Sequence, residues 1–521
     1  MKQATNHTDR RRFLRNTGII AATVLMPVKL LAKQVKTIAL SIDPPAFNPY
    51  ALIDLHCHPS LKMFLLGKKF YRRHWLRSAH PGENIFHQQE DTHEFESGNV
   101  RGILATHYLV EKDVRKEWTL IKILWGFFVL VSEIKKIELE SDKNADQICA
   151  MMDKLEEQLK ETNSRGSRFT YKVVFNFKQF SNILDNEPGT IPVIHAIEGA
   201  HALGRNLAIS EEAVKEKTKI ARTQAIPQNI ALTKALLPNE GHMASTGPDP
   251  AEKYKQNLQR VHDRGVCMIT LSHFFANDLA FSVEGISPKG KQSVGMKRLY
   301  NPATDDIGLT PIGKDVVREM LDMGVIVDLT HTTPQVRKDV FFIRDDVNKQ
   351  RALQQLPPRP LVFSHVGSQE VFDLHDHGMY PNYKYYNVSP EEIARVCEGG
   401  GVIGVIPEIF WLAGSNRAAR IPGQPSLDED LGIPYIIETM KELNRHTPGQ
   451  DYDHIAIGTD FDGLATNPKD LFLNHQLNTL YDAMKNDPEL CKGDRIKKIT
   501  SLNAKRLLQY GWDGPDHPPI A

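Results

Sequence analysis

Short runs of apolar residues recur along the chain from residue 51 onward, and polar side chains follow where each run ends. Eight such runs are rich in valine, isoleucine and leucine without regular alternation, which is typical of strands covered on both faces. These eight runs are Ala51–His56, Val100–His107, Ile191–Glu198, Val266–His273, Val325–His331, Pro360–His365, Gly401–Pro407 and His454–Phe461. The pattern predicts eight buried, parallel strands.

Between these runs, apolar residues recur at helical spacing and are framed by residues that start helices. Thr-Pro pairs at residues 310–311 and 333–334 and a Ser-Pro pair at residues 389–390 each predict a helix start. The hydroxyl would accept a hydrogen bond from the first turn, and proline fits the first helical position. Glu392 would complete a capping box with Ser389. Strands that alternate with helices predict an α/β fold, a (β/α)8 TIM-type barrel.

Two connections, roughly Leu61–Asn99 and Leu203–Asn257, are long, polar and rich in Gly, Pro, His and Asn. They predict long insertions in the βα loops, where barrels carry lids or substrate-binding walls. The chain shows no internal repeat or linker beyond them. We therefore expect one barrel domain over residues 45–515, preceded by a separate segment over residues 1–32.

The first 32 residues have the layout of a twin-arginine export signal. The run of arginines at 10–12 is followed by the short apolar stretch GIIAATVLMPVKLLA, which ends near Ala32. This order predicts a signal peptide and export to the periplasm, with a basic N-terminal helix as the alternative. Pro27 and Lys29 interrupt the apolar stretch, so it does not predict a permanent membrane span.

A second apolar stretch, Trp118–Val131, is also too short to span a membrane and contains Lys122. We expect a buried helix or a contact between two copies of the chain, which would form a homodimer.

The composition and charge of the chain limit the class of protein and the possible partners. The chain is 41% hydrophobic, as in globular proteins, and its 64 basic residues balance its 64 acidic ones. The chain therefore has no global basic field of the kind that would indicate a nucleic-acid partner.

Six side chains with metal-binding chemistry stand at or beside the ends of the predicted strands. They are His56, His58, Glu198, His331, His365 and Asp460. Each alone has a simpler interpretation, as a hydrogen-bonded strand-end or turn residue. Because the carboxyl ends of parallel strands meet at one mouth of a barrel, together they predict a binuclear metal centre. Nitrogen and oxygen ligands favour zinc, with manganese, iron or cobalt as alternatives.

Four imidazoles and two carboxylates are the ligand set of a metal-dependent hydrolase. Two divalent metal ions about 3.5–4 Å apart would hold a hydroxide between them and polarise a scissile carbonyl. Asp460 would take the proton of that hydroxide and deliver it to the leaving nitrogen. His273 would stabilise the oxyanion or hold the substrate carbonyl. The same centre can hydrolyse an amide, a lactone, an ester or a phosphoester, and a non-catalytic metal-binding barrel is the alternative to an enzyme.

Several segments resemble the membrane dipeptidase (renal dipeptidase) family of the amidohydrolase superfamily. They are DLHCHPS, EGAHAL, TLSHFFAND, GLTPIGKDVVREMLDMGVIVDLTH, FSH and IGTDFDG, in family order from Asp54 to Gly463. The resemblance implies a (β/α)8 barrel with a two-zinc centre that hydrolyses dipeptides. The expected substrate is therefore a small peptide or amide, with a lactone, ester or phosphoester as the alternative. It assigns one metal to His56, His58 and Asp460, the second to His331 and His365, the bridge to Glu198, and substrate positioning to His273.

The chain departs from this family pattern at two places. The family's first motif is usually His-x-Asp, whereas here it is His56-x-His58, which alters the charge of the site. Where the family has an arginine for the substrate carboxylate, this chain has Lys384-Tyr385-Tyr386, and lysine is not equivalent to arginine there. We expect Tyr386 to contact the substrate. Arginines at 72, 73 and 77 are an alternative anion contact, unless they form a solvated basic helix face.

Overall fold

The computed structural model describes residues 50–72, 88–111, 144–204, 250–283, 300–376, 381–414, 432–463 and 467–520. The predicted signal segment, residues 118–131 and most of the second long connection lie outside these ranges, so the predictions for them stay predictions. Within the described ranges, no helix has both the length and the apolar character needed to cross a membrane.

The described strands all pair in parallel within one sheet. They are β1 (Leu52–Cys57), β2 (Val100–Tyr108), β3 (Thr170–Val173), β4 (Thr190–Glu198), β5 (Met268–Thr270), β6 (Ile326–Asp328), β7 (Val362–Val366), β8 (Val402–Val405) and β9 (Ile455–Ile457). The sheet order is β1-β2-β4-β5-β6-β7-β8-β9, and β3 pairs with β4 beside this path. A parallel bridge between Cys57 and Phe461 joins the first strand to the segment after the last. The eight strands of this path, without β3, form a nearly closed barrel, which confirms the predicted (β/α)8 TIM-type fold.

Helices alternate with these strands along the chain. They are α1 (Pro59–Leu66), α2 (Thr92–Ser97), α3 (Asn144–Ser164), α4 (Phe177–Asn186), α5 (Pro250–Asp263), α6 (Pro302–Asp305), α7 (Pro311–Met323), α8 (Pro334–Leu353), α9 (Gln369–Asp376), α10 (Pro390–Glu398), α11 (Ile409–Ala413), α12 (Ile433–Arg445), α13 (Leu477–Asn486), α14 (Arg495–Lys497) and α15 (Asn503–Gly511). Every residue of β1, β2 and β4 is buried, as expected for strands covered on both faces.

The three predicted helix starts are confirmed by their hydrogen bonds. The side chains of Thr310, Thr333 and Ser389 accept hydrogen bonds from backbone N–H groups in the first turns of α7, α8 and α10. Glu392 completes the capping box of α10 by accepting from the backbone N–H of Ser389 at 2.8 Å. Each such cap contributes about 1 kcal/mol to helix stability.

The sequence prediction was wrong about where several strands end. His273 and His331 were placed at the ends of strands, but β5 ends at Thr270 and β6 at Asp328. Asp460 likewise lies beyond β9, in a segment that has left the sheet ladder. An apolar run continues past the last ladder hydrogen bond, so composition alone does not mark the point where pairing stops. The first long connection is also not all loop, since it contains most of α1 and all of α2.

Candidate metal centre

The six predicted ligands converge at one end of the barrel. His56 belongs to β1 and His365 to β7, Glu198 is the last residue of β4, and His58 directly follows β1. His331 and Asp460 come from the irregular segments after β6 and β9. The six side chains belong to overlapping groups of three residues, and each group could hold a metal ion. The convergence that the sequence predicted is therefore present, although its role in binding a metal stays a prediction.

Three of these side chains form the first part of the centre. The Nε2 atoms of His56 and His58 lie 3.0 Å apart. The Nε2 atom of His58 lies 3.1 Å from Oδ1 of Asp460, and that of His56 lies 3.9 Å from the same oxygen. Two ring nitrogens and a carboxylate oxygen thus face one small volume.

The second part lies on the other side of Glu198. The Nε2 atoms of His331 and His365 are 3.1 Å apart, and they lie 3.2 and 3.5 Å from Oε1 of Glu198. The same carboxylate also reaches the first part, with Oε2 3.3 Å from Nε2 of His58 and Oε1 3.4 Å from Nε2 of His56. Glu198 therefore lies between two pairs of imidazoles, where a carboxylate can bridge two cations.

The chemistry of this donor set fits divalent cations. Oε1 of Glu198 is buried and has no hydrogen-bond donor among the described residues, although a buried carboxylate oxygen without a partner is costly. Burial alone would raise the pKa of Glu198, but the neighbouring His273 and His56 lower it well below its ordinary value. Burial, reinforced by His56, lowers the pKa of His365 well below its ordinary value, which keeps that ring neutral and able to ligate.

Two of the candidate ligands have unusual backbone conformations. His331 has φ +67° and Asp460 has φ +51°, in the left-handed region that side-chain-bearing residues rarely adopt. Such residues cost on the order of 1–3 kcal/mol each and cluster at functional sites. Gly199, with φ +87°, follows Glu198; a Cβ atom there would lie 2.4 Å from the ring of His201. Only glycine leaves the Glu198 turn in place.

A hydroxyl that the sequence analysis missed joins the two parts of the centre. Ser364 donates a hydrogen bond from Oγ to Oδ2 of Asp328 at 2.6 Å. The same Oγ lies 3.1 Å from Nδ1 of His56 and 2.8 Å from Nδ1 of His365. A hydroxyl has one proton and two lone pairs, so while its O–H donates to Asp328 its oxygen can accept from both rings. Both imidazoles then carry their proton on Nδ1 and present the Nε2 lone pair to the centre.

We expect Ser364→Ala to weaken metal binding at both parts of the centre together. Losing an outer hydrogen-bond partner of a ligating histidine costs about 10–100-fold in metal affinity. The measurement is a zinc titration against a chromophoric chelator, which counts and ranks the two affinities. Ser368→Ala is the matched control, because Ser368 is equally buried but its hydroxyl accepts from the backbone of Glu370. Unchanged zinc affinities in Ser364→Ala would contradict the role.

The backbone next to His56 is fixed by a second carboxylate absent from the prediction. Asp54 accepts hydrogen bonds from the backbone N–H of His56 at 3.1 Å and from the N–H and Oγ1 of Thr459 at 3.0 and 2.6 Å. Burial raises its pKa to about 6. Asp54 thereby ties the first strand to the residue before Asp460, and so positions the candidate ligands His56 and Asp460 relative to each other.

His273 lies beside the centre and has a carboxylate behind it. Its Nε2 atom is 3.5 Å from Oε2 of Glu198, and its Nδ1 atom is 3.2 Å from Oε2 of Glu111. Tyr108 donates to the same Glu111 oxygen at 2.7 Å. Burial alone would lower the pKa of His273, but Glu198 and Glu111 raise it. The geometry suits a hydrogen-bond donor, and His273 could also ligate, since it groups with Glu198 and His331.

Tyr386 is buried next to the second part of the centre, with its ring centroid 6.3 Å from that of His331. Its position agrees with the predicted substrate contact but does not test it. Lys384 instead points to Asp373, at 3.0 Å. Of the three arginines proposed as an anion contact, Arg72 is exposed, and those at 73 and 77 lie outside the described residues.

Comparisons with known proteins bear on this geometry. A family model described as membrane dipeptidase (peptidase family M19) matches residues 240–510, just over half of the chain. The chain is 30% identical over 214 residues to an uncharacterized dipeptidase of Schizosaccharomyces pombe, covering 41% of this chain and 39% of that protein. It is 23% identical over 255 residues to dipeptidase tcpJ of Claviceps purpurea, covering 48% and 46%. The chain thus spans less than half the length of these curated relatives.

Two solved structures share the fold at low sequence identity. One is the dipeptidase AC, a metallo peptidase of family M19, with 17% identity, a TM-score of 0.55, and coverage of 89% of this chain and 99% of that one. The other is a metallo peptidase from Rhodobacter sphaeroides liganded with a phosphinate mimic of the dipeptide L-Ala-D-Ala, with 17% identity, a TM-score of 0.54 and the same coverage. At this identity, both support the barrel and nothing finer.

The matched family region includes the segments that carry His273, His331, His365 and Asp460. Family membership also supports the predicted enzyme class and the use of divalent metal. The resemblance seen in the sequence is therefore confirmed: the chain belongs to the membrane dipeptidase family, peptidase family M19, a family of metal-dependent hydrolases.

Proposed function

We propose that this chain hydrolyses a peptide or related amide bond in a small substrate with the help of two divalent cations, zinc being the first candidate. The observation that carries the proposal is the placement of two imidazole pairs on either side of one buried carboxylate, Glu198. That arrangement supplies separate nitrogen ligands for two ions and a carboxylate that both can share.

The ligands divide as the geometry suggests. His56, His58 and Asp460 would hold one cation, His331 and His365 the other, and Glu198 would bridge them. When bound, the cations would supply Lewis acidity and lower the pKa of water enough for it to lose a proton and attack at neutral pH. Ser364 would orient the rings of His56 and His365, and Asp54 the backbone of His56, through the hydrogen bonds described above.

Asp460 is the proposed general base. Its side chain is 14% exposed, more than the 0–3% of His56, His58 and Glu198, so it faces the opening of the centre. A carboxylate there can take a proton from the attacking water and return it to the leaving nitrogen. Gly463 leaves room for this carboxylate, since a Cβ atom at that position would lie 2.0 Å from Oδ1 of Asp460.

His273 is the proposed donor to the developing oxyanion. Its raised pKa favours the protonated ring, and Glu111 fixes the ring orientation through Nδ1. A preorganised donor of this kind stabilises charge that appears only in the transition state. Nε2 is the atom left to face the substrate, on the side of Glu198.

A substrate panel tests the proposed reaction. We expect the zinc-loaded protein to cleave dipeptides, N-acyl amino acids or other small amides with a higher kcat/KM than lactones, esters or phosphoesters. The same centre chemistry can serve all of these bonds, so the comparison must be made on one preparation of known zinc content. A clear preference for a lactone or phosphoester would contradict the amide assignment, and turnover of none would favour the non-catalytic alternative.

A further inference from the structure

Two buried histidines that the proposed mechanism does not use, His107 of β2 and His195 of β4, take part in one series of hydrogen bonds. Nδ1 of His107 lies 2.9 Å from Oγ of Ser60, in the first turn of α1. Nε2 of His107 lies 2.8 Å from Nδ1 of His195, whose Nε2 lies 3.1 Å from Oε1 of Glu156 in α3. Arg264 donates to the same Glu156 oxygen at 2.6 Å. We refer to Ser60, His107, His195 and Glu156 as the hydrogen-bond chain.

The hydrogen-bond chain lies beside the candidate metal centre. α1 begins directly after His58, and β4 continues from His195 to Glu198, where it ends. Ser60, His107 and His195 are each at most 1% exposed. Polar groups buried to this extent depend on one another for hydrogen bonds. The position of each proton in the hydrogen-bond chain is therefore decided by its neighbours.

Two members of the hydrogen-bond chain have a fixed protonation state. Burial alone would raise the pKa of Glu156, but its contacts with His195 and Arg264 lower it, so this side chain is a carboxylate that only accepts. Burial, reinforced by the charges of His195 and His58, lowers the pKa of His107 well below its ordinary value. His107 is therefore neutral and carries a single ring proton. The protonation state that can change is that of His195.

Counting donors and acceptors leaves two arrangements of the protons. When His195 is neutral, its Nε2–H donates to Glu156 and its Nδ1 accepts from Nε2–H of His107. Nδ1 of His107 then accepts from the hydroxyl of Ser60. When His195 is protonated, its Nδ1–H donates to Nε2 of His107, whose proton is then on Nδ1 and donates to Ser60. One proton taken up from solvent therefore moves the His107 proton from Nε2 to Nδ1 and turns Ser60 from donor into acceptor, and no other proton is gained or lost.

We propose that the hydrogen-bond chain is a proton-responsive device that couples the solution pH to the turn after His58. The carboxylate of Glu156 is essential to this response, because a buried ring such as His195 accepts a proton readily only where a negative charge lies beside it. Uptake of the proton cancels the negative charge of Glu156, and so weakens the attraction of this side of the barrel for cations. The effect on zinc rests on the metal centre proposed above, whereas the reversal of the hydrogen bonds does not.

The titratable and charged groups around His195 and its partner Glu156 come from β2, α3 and the segment between α5 and β5. They are His107, Asp153, Glu156, Arg264 and Cys267. Arg264 pairs with both Glu156 and Asp153, at 2.6 and 2.7 Å. Burial raises the pKa of the Cys267 thiol, which therefore stays neutral. Glu156 is the carboxylate in direct contact with His195, so its replacement tests the device.

Neutron crystallography of the full chain at about pH 5 and about pH 8, the range over which histidine changes charge, tests the device directly. At the higher pH we expect one proton on Nε2 of each ring. At the lower pH, His195 should carry protons on both nitrogens and His107 on Nδ1 alone. In Glu156→Gln, the carbonyl oxygen stays beside Arg264 and still accepts from His195, but the charge is lost. This variant should show the higher-pH arrangement at both pH values, whereas Glu157→Gln, at an exposed neighbour in α3, should behave as wild type.

Zinc affinity, measured across the same pH range by competition with a chelator, tests the coupling to the metal centre. As the pH falls, wild type should lose severalfold more affinity than Glu156→Gln, because only wild type takes up the additional proton. A His107 proton on the same nitrogen at both pH values, or a Glu156→Gln variant that reverses as wild type does, would overturn the proposal. Equal losses of zinc affinity in the two proteins would overturn the coupling. Absence of zinc binding in both would count against the metal centre itself, and the neutron result would still decide the proposed reversal.

Discussion

Asp460→Asn is expected to lower kcat by about 10²–10⁴-fold, the usual contribution of a positioned general base. Asparagine has nearly the shape of aspartate and keeps one oxygen near Nε2 of His58, which lies 3.1 Å from the present carboxylate. It cannot accept and return a proton. The chain should therefore still fold, because Asp460 contacts the centre and not the helix-covered core of the barrel.

The variant must be measured with its zinc content known, since Asp460 is also a proposed ligand. Turnover is compared with wild type at saturating zinc, and thermal unfolding shows whether the fold is kept. Asp482→Asn provides a control with the same chemical change at an exposed residue that pairs with Lys485. Wild-type turnover in Asp460→Asn would remove Asp460 from the mechanism, whereas low turnover explained wholly by missing zinc would leave it as a ligand only.

Removal of the metal is expected to have the second large effect. After dialysis against a chelator, turnover should fall below about 1% of its starting value, because the Lewis acid that activates water is lost. The melting temperature should also fall, because a ligand present at about 100 times its Kd stabilises the folded state by about 2.7 kcal/mol. Circular dichroism should nevertheless show a folded barrel. Readdition of zinc should restore both properties, and a chelated protein that keeps full turnover would contradict the proposal.

The barrel was predictable from sequence because its signals are local. Apolar runs mark the strands, and Thr-Pro or Ser-Pro pairs mark the starts of α7, α8 and α10. The convergence of the candidate ligands was predictable because parallel strands bring their ends to one mouth. The exact strand ends were not, since His331 and Asp460 lie past them in left-handed backbone conformations. The short strand β3, four residues in length, gave no usable pattern.

The supporting residues escaped prediction because their partners are distant in the chain. Ser364 lies next to a predicted ligand, but its hydroxyl also meets His56, 308 residues away. The role of Glu111 becomes visible only in the fold, where the segment after β2 lies beside His273. Long-range contact, which one sequence does not reveal, decides each of these roles.

In the proposed mechanism, two cations that share Glu198 carry the activity. A stepwise zinc titration of the chelated protein tests it most directly, with turnover and bound zinc measured at each addition. We expect turnover to rise until about two zinc ions are bound per chain and then to stay constant. Full turnover at one zinc per chain, or turnover independent of zinc, would contradict it.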